Sequence, residues 1–334
     1  MKKIYLLFWV ILLVNDIFAI NKVGTTSAGF LEIGIGSRAS SLGNAFVGLA
    51  DDVSALYWNP AGISRINNIE MMFSYTNWLS DITLNYGGVV VPLGSFGTIG
   101  IAGTFLSMGE MKVRTIDYQE GTGERFDASD LAFALSYGFN LTDRFSFGIS
   151  MKYIQEKIWH CEAKTMAFDF GTLFRTQFHG LRIGAVIYNF GSAMQMQGLD
   201  LLVFHDPDER KTGNNDKIIA YQGTDKWELP LNFQAGIAID LLNKKYHKIT
   251  LLADVLHPSD NQESMNLGVE YSLNNLAFLR LGWSSLFQKN TEEGLTFGGG
   301  IKKKFGSSYI LIDYAYSSFN RFNYTQNFSF SFQF

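Results

Sequence analysis

The chain has one cysteine, Cys161, and only 5 prolines and 5 histidines in 334 residues. A lone cysteine excludes a disulfide scaffold. Charge is scarce too: Asp, Glu, Lys and Arg make up 17% of the chain, where a soluble domain carries about 25%. The formal net charge is −4 and no basic stripe exists, so nucleic acid is not an expected partner. After the first residues no run of about 20 apolar residues occurs, which excludes a polytopic helical membrane protein. What is plentiful is glycine, at 33, and aromatic side chains, including 29 phenylalanines and 15 tyrosines. That aromatic content excludes a disordered chain. Together these features fit a transmembrane β-barrel, whose strands turn only alternate residues to lipid.

Lys2 and Lys3 precede an apolar run from Ile4 to Val14, and Ile17-Phe18-Ala19 offers a cleavage site. A basic start, a short apolar core and a small residue before the cut make a secretory signal peptide. Removing residues 1–19 takes away Lys2, Lys3 and Asp16 and shifts the net charge from −4 to −5. The expected destination is the bacterial outer membrane.

From Ile69 onward the sequence alternates with period 2. In 131–139, Leu131, Phe133, Leu135, Tyr137 and Phe139 alternate with Ala132, Ala134, Ser136 and Gly138. Residues 145–153 and 231–241 repeat the pattern. Alternate side chains point to opposite faces, so one face is bulky and apolar and the other small or polar. Fourteen strands are expected, approximately 69–79, 82–93, 96–107, 127–140, 144–157, 163–176, 180–190, 229–241, 247–257, 263–273, 276–286, 294–305, 308–318 and 324–334. A fourteen-stranded lumen is too wide for wall side chains to fill, so the apolar face belongs outside, against lipid. Connections after even strands are short, whereas the long ones, 108–126 and 191–228, follow odd strands. Short periplasmic turns and long outer loops are the expected asymmetry of such barrels. Trp78, Trp159, Trp227 and Trp283 fall near the outer strand ends, where aromatic girdles sit.

Residues 20–66 do not alternate. Ser37 is placed to cap a helix whose Leu42, Phe46 and Leu49 share one face. Asp51 and Asp52 interrupt it, and 53–58 adds a further turn. Asn59-Pro60 starts a last turn, Asn as N-cap and Pro at N1. Small helices ahead of a wide barrel are expected inside it, which divides the chain into a signal peptide at 1–19, a plug at 20–66 and a barrel at 67–334. The stretch Gly36-Ser37-Arg38-Ala39-Ser40-Ser41-Leu42-Gly43-Asn44-Ala45-Phe46 through Asp51-Asp52, followed by Ser54-Ala55-Leu56-Tyr57-Trp58-Asn59-Pro60-Ala61-Gly62, resembles the N-terminal signature of the PorV/PorQ family. Those outer-membrane proteins are related to FadL-type channels. The resemblance implies a fourteen-stranded barrel with an N-terminal plug and a role in type IX secretion, with secreted cargo or a surface attachment complex as partners. The related FadL-type branch imports hydrophobic molecules, which leaves a hydrophobic ligand as the alternative. Passage of that kind needs an apolar pocket beside the plug and a strand that opens sideways, for which Gly87-Gly88 and Pro92 are the candidate break.

No chemistry of catalysis is apparent, and neither an enzyme nor a cofactor is expected. The histidines have no metal-ligand spacing, and His160-Cys161-Glu162 reads as loop surface. Gly34-Ile35-Gly36 lacks the third glycine of a dinucleotide fingerprint. The acidic stretch from Asp206 to Asp216 lacks EF-hand spacing. The candidate residues are instead structural or binding ones. On the segment they are Arg38, Gly43, Asn44, Asp51, Asp52, Asn59 and Pro60. By strand parity Lys152, Asp169, Arg175, Asp240, Asp254, Glu270, Arg280 and Asp313 face the lumen, since a Lys or Arg facing lipid at mid-depth costs about 2–4 kcal/mol. Arg38 is expected to pair with a wall carboxylate such as Asp254 or Asp313. The last strand closes on Phe330, Phe332 and Phe334, which resembles the signal read by the outer-membrane barrel assembly machinery. The outer loops 108–126, 191–228 and 287–293 are the expected working surface.

Overall fold

A computed structural model describes residues 23–207 and 217–334. The expected signal peptide and the centre of the Asp206–Asp216 stretch lie outside the described residues. Fourteen antiparallel strands close into a barrel: β1 (Glu70–Asn77), β2 (Thr83–Pro92), β3 (Thr98–Lys112), β4 (Arg125–Asn140), β5 (Phe145–Ile158), β6 (Cys161–Arg175) and β7 (Arg182–Gly191). The second half comprises β8 (Asn232–Asn243), β9 (His247–Pro258), β10 (Ser264–Leu273), β11 (Ala277–Leu286), β12 (Glu293–Phe305), β13 (Ser308–Phe319) and β14 (Asn323–Gln333). Each strand pairs with its sequence neighbours, and β14 closes on β1 with Phe330 opposite Phe73. The expected strand number and order are the observed ones.

The alternation explains why these residues form this wall. Ile101, Leu135, Met151 and Phe168 stand side by side across β3 to β6 and are exposed on the outer face. One residue along, Ala102, Ala134 and Ala167 form an inner row that is buried. An exposed apolar band of this kind is stable only in lipid. Among the described residues no helix is long and apolar enough to cross a membrane.

Inside the wall, residues 23–66 run from the long-loop end to the short-turn end. Thr26 Oγ1 donates to Asp260 and Ser27 N–H to Glu228 O at the first. At the other end Arg65 Nη1 donates to Asp143 O, in the turn after β4. Between lie 3-10 turns at Gly29–Glu32 and Pro60–Arg65 and two short helices, α1 (Ser37–Ser41) and α2 (Ala55–Trp58). Leu42, Phe46, Leu49, Leu56 and Ile63 are fully buried and form the principal core with the inner wall.

Two local expectations are corrected. The helix begun at 37 does not continue to Leu49: Gly43 and Asn44 both take positive φ (66° and 62°), a left-handed pair that ends it after one turn. Ser37 is not its cap, which is Gly36; its hydroxyl instead donates to Asn327 on the wall at 2.8 Å. Asn59 does cap its turn, its side chain accepting the Ala61 N–H with Pro60 at the first position.

The close fit of segment to wall rests on glycine. A Cβ on Gly148 would fall within the backbone of Pro60–Ala61, and one on Gly43 would lie 2.6 Å from the Trp283 backbone nitrogen. Gly88 faces Val53 and Leu56 of the segment, whereas Gly87 lies against the Phe73 ring on the outer face. The β1–β2 and β2–β3 ladders run unbroken past both glycines, and the second continues through Pro92. The candidate break is therefore a paired stretch of strand.

Candidate functional site

Two arrangements stand out inside the barrel, one that holds the segment and one that opens outward above it. The first centres on Arg38. Its guanidinium donates to both oxygens of Glu270 on β10, through Nε and Nη2, each at 2.9 Å. Nη1 reaches Asp51 Oδ1 at 2.7 Å and Asp52 Oδ2 at 3.0 Å, and the plane lies 5.4 Å from the Phe46 ring centroid. Glu270 also accepts from Arg280 Nε on β11 at 2.7 Å, and Arg280 Nη1 pairs with Asp313 on β13 at 2.5 Å. A continuous chain of alternating charge thus runs from segment to wall. Burial alone would lower the Arg38 pKa, but Asp51, Glu270 and Asp52 outweigh it and hold the pKa well above its ordinary value. On the far side Arg182 Nη2 pairs with Asp240 at 2.8 Å, while its Nη1 approaches Asp51 at 3.9 Å.

The expected partner of Arg38 is therefore corrected from Asp254 or Asp313 to Glu270. Asp254 is occupied otherwise, accepting the backbone N–H groups of Phe46 and Val47 and the amide of Gln234, all at 2.9 Å. It grips the segment by its main chain. Asp313 is taken by Arg280. Lys152 pairs with Asp169 at 2.8 Å, and Asp169 also accepts the Asn189 N–H where the β6–β7 register shifts. Arg175 lies at the short-turn rim, partly buried.

The second arrangement is a cavity of about 320 Å³ between the segment and the outer ends of β7 to β11. Its floor includes Leu31, Glu32, Asn44, Tyr57 and Trp58. Hydrogen bonds hold that floor: Tyr57 OH donates to Leu31 O and Trp58 Nε1 to Ile35 O, both at 2.8 Å. Amide side chains dominate the walls, among them Asn189, Asn232, Gln234, Asn266, Gln288 and Asn290. The Oδ1 atoms of Asn44 and Asn232 are buried without a hydrogen-bond partner, closed off from the open space of the cavity. Glu32 opens onto it with its pKa raised to about 7, by burial within the barrel and then by Asp260 and Glu293. Such a lining suits a polar ligand that donates hydrogen bonds, such as a polypeptide segment, and suits a hydrocarbon poorly.

Sequence reading missed this chamber. Asn232 and Gln234 were legible as the polar face of their strand, but alternation does not show which loops roof that face. It also missed Arg182 and Glu32. His160 and the buried Cys161 thiol both reach Asp200, at 3.0 and 3.8 Å, whereas Glu162 turns away to Lys164. No cluster of metal-ligand type is present among the described residues.

The long loop after β7 holds one more feature. Residues Leu202–His205 and Ile218–Tyr221 pair as an antiparallel ribbon whose Phe204, Ile219 and Tyr221 are each more than 60% exposed. These apolar side chains are held in order at the end of the barrel away from the short turns.

Comparison with known proteins adds three findings. Residues 16–173, just under half of the chain, match the family model of the type IX secretion system protein PorV. No curated protein sequence matches the chain. Among solved structures, the CymD monoaromatic hydrocarbon channel superposes with a TM-score of 0.57 at 11% identity, covering 90% of this chain and 97% of that one. The Pseudomonas putida toluene transporter TodX gives 0.55 at 11% identity, covering 90% and 98%. A Pseudomonas aeruginosa FadL homologue gives 0.53 at 11%, covering 87% and 95%. At these identities the likeness is one of fold alone.

Proposed function

We propose that this chain, a PorV-type outer-membrane barrel, serves type IX secretion by receiving protein partners at its outer end, while residues 23–66 act as a fixed plug. The observation that carries the reading is the character of that outer end. An exposed apolar ribbon in the long loop after β7 and an amide-lined chamber share the outer end of the barrel, a combination that fits side chains and main chain of a polypeptide. The ion chain through Arg38, Glu270 and Arg280 ties the segment to the wall, which favours a plug that stays in place while partners bind above it.

Passage of hydrophobic molecules, as the names of the fold neighbours suggest for those proteins, is the second reading. It has the fold in its favour, but the chamber is polar and the expected break at Gly87–Gly88 is paired.

Site-specific photo-crosslinking in the native outer membrane tests this. Photoreactive residues at Phe204, Ile219 and Gln288 are expected to capture secreted proteins or attachment partners, whereas one at Phe178, in the short turn after β6, captures none of them. Absence of protein adducts at the three outer positions, with an apolar small molecule co-purifying in stoichiometric amount, would overturn the reading in favour of a channel.

A further inference from the structure

The short-turn end has a feature that neither the plug nor the outer surface uses. Three successive turns, 244–246, 274–276 and 306–307, form one continuous edge. Asn274 N–H donates to Tyr246 O at 2.7 Å, joining the first two, and Lys302 N–H donates to Leu276 O at 2.8 Å, joining the next. Lysine crowds this edge: Lys244, Lys245, Lys303 and Lys304 are all exposed, and no ion pair among the described residues neutralises any of them. Lys248 has Asp240 at 3.4 Å. Lys302 donates to Gln333 at 2.5 Å, which is uncharged. Aromatic rings brace the stems, with Lys245 Nζ 5.2 Å from the Tyr246 ring and Lys302 Nζ 4.8 Å from that of Tyr309.

Between the first two turns lies a cleft of about 370 Å³, lined chiefly by Lys244, Lys245, His247, Lys248, Asn274 and Asn275. It is a concave set of cations and amide donors, the chemistry that holds a phosphate. On the lipid side of the same edge the wall is aliphatic: Leu279, Ile301 and Phe305 are exposed, and Lys303 shares their outward column between Ile301 and Phe305. Charge that recognises phosphate therefore meets, within one or two residues, a surface that recognises acyl chains. In a barrel with its short turns in the periplasm, this is the depth of the inner-leaflet headgroups.

We propose that this edge is a binding site for an anionic phospholipid of the periplasmic leaflet, its phosphate in the cleft at Lys244 and Lys245 and its acyl chains along Leu279 and Ile301. The chain as a whole is acidic, so the attraction is local and belongs to this arc. The proposal does not depend on the secretion role.

The test is native mass spectrometry of the full chain in mild detergent, offered equal amounts of phosphatidylglycerol and phosphatidylethanolamine. The protein is expected to retain phosphatidylglycerol with about a fivefold preference, the fold-change that one favourable lysine–headgroup contact supplies. Replacing all four free lysines (Lys244→Gln, Lys245→Gln, Lys303→Gln, Lys304→Gln) brings the ratio to unity, with heat-modifiable gel mobility unchanged. The pair Lys244→Gln and Lys245→Gln, confined to one turn, lowers it partway. A control at the outer end, Lys157→Gln with Lys164→Gln, keeps the preference. Inorganic phosphate at equal charge leaves the lipid bound. Equal retention of both lipids by the unaltered protein, a preference that survives the fourfold variant, displacement by inorganic phosphate, or capture of an acidic protein by the arc with the lipid ratio unaffected would each overturn the proposal.

Discussion

Arg38 touches three carboxylates, from Asp51, Asp52 and Glu270, and its removal leaves them facing each other with Arg280 and the more distant Arg182 as counter-charge. Breaking a buried ion pair from one side costs about 3–5 kcal/mol. Arg38→Met is accordingly expected to lower the temperature at which the barrel loses its heat-modifiable mobility on gels, and Arg38→Met with Glu270→Gln to recover part of the loss. An unchanged transition in the single variant would show that the ion chain does not hold the plug. Sequence reading went as far as the charges and stopped at their partners. Parity assigns Glu270 and Asp313 to the same inner face, but a face has no address: which carboxylate meets Arg38 depends on how far along the barrel the segment sits. The main-chain bonds that occupy Asp254 were beyond any pattern of residue types.

Strands were more legible than helices for a physical reason. A wall with lipid on one side and protein on the other forces strict alternation over ten residues, as in β4 from Leu131 to Phe139, and parity of loop lengths then checked the count. The segment has no such two-sided environment. Leu42, Phe46 and Leu49 have helical spacing and are all buried, yet a chain enclosed on every side can bury them from turns as well as from a helix, and Gly43-Asn44 made that choice. The wall glycines tell the same story at the level of whole strands: those at the inner face of β4 to β7 receive Asn59-Pro60 and its neighbours. Gly148→Ala is expected to push Pro60 off β5 and expose residues 23–66 to added protease while leaving the strands assembled. Protection equal to that of the unaltered protein would mean the contact has slack that the geometry does not show.

At the scale of the whole molecule, the outer chamber is acidic: Glu32 and Glu293 line it, and Asp260 lies near enough to act on Glu32. Glu32 titrates higher in the folded chain, at about 7, than its ordinary value of 4.5. The folded state therefore binds the extra proton between these values, and the stabilisation this gives is full below about pH 4.5 and is lost as pH rises through 7. Thermal unfolding followed from pH 5 to pH 8 is expected to show a fall that Glu32→Gln reduces; equal slopes for the two proteins would contradict the assignment. One arrangement at the β1–β14 seam also bears on how the molecule comes to exist. Ser37 N–H donates to Ser329 Oγ on β14 at 2.9 Å, and Asn327 on the same strand accepts from both Ser37 and Ser74, the latter on β1. The first and last strands thus meet over a residue of the enclosed segment that is bonded to one and linked through Asn327 to the other. Closing the cylinder and seating its contents draw on the same bonds, so a defect in residues 36–38 is expected to surface as failed biogenesis before it surfaces as a leak.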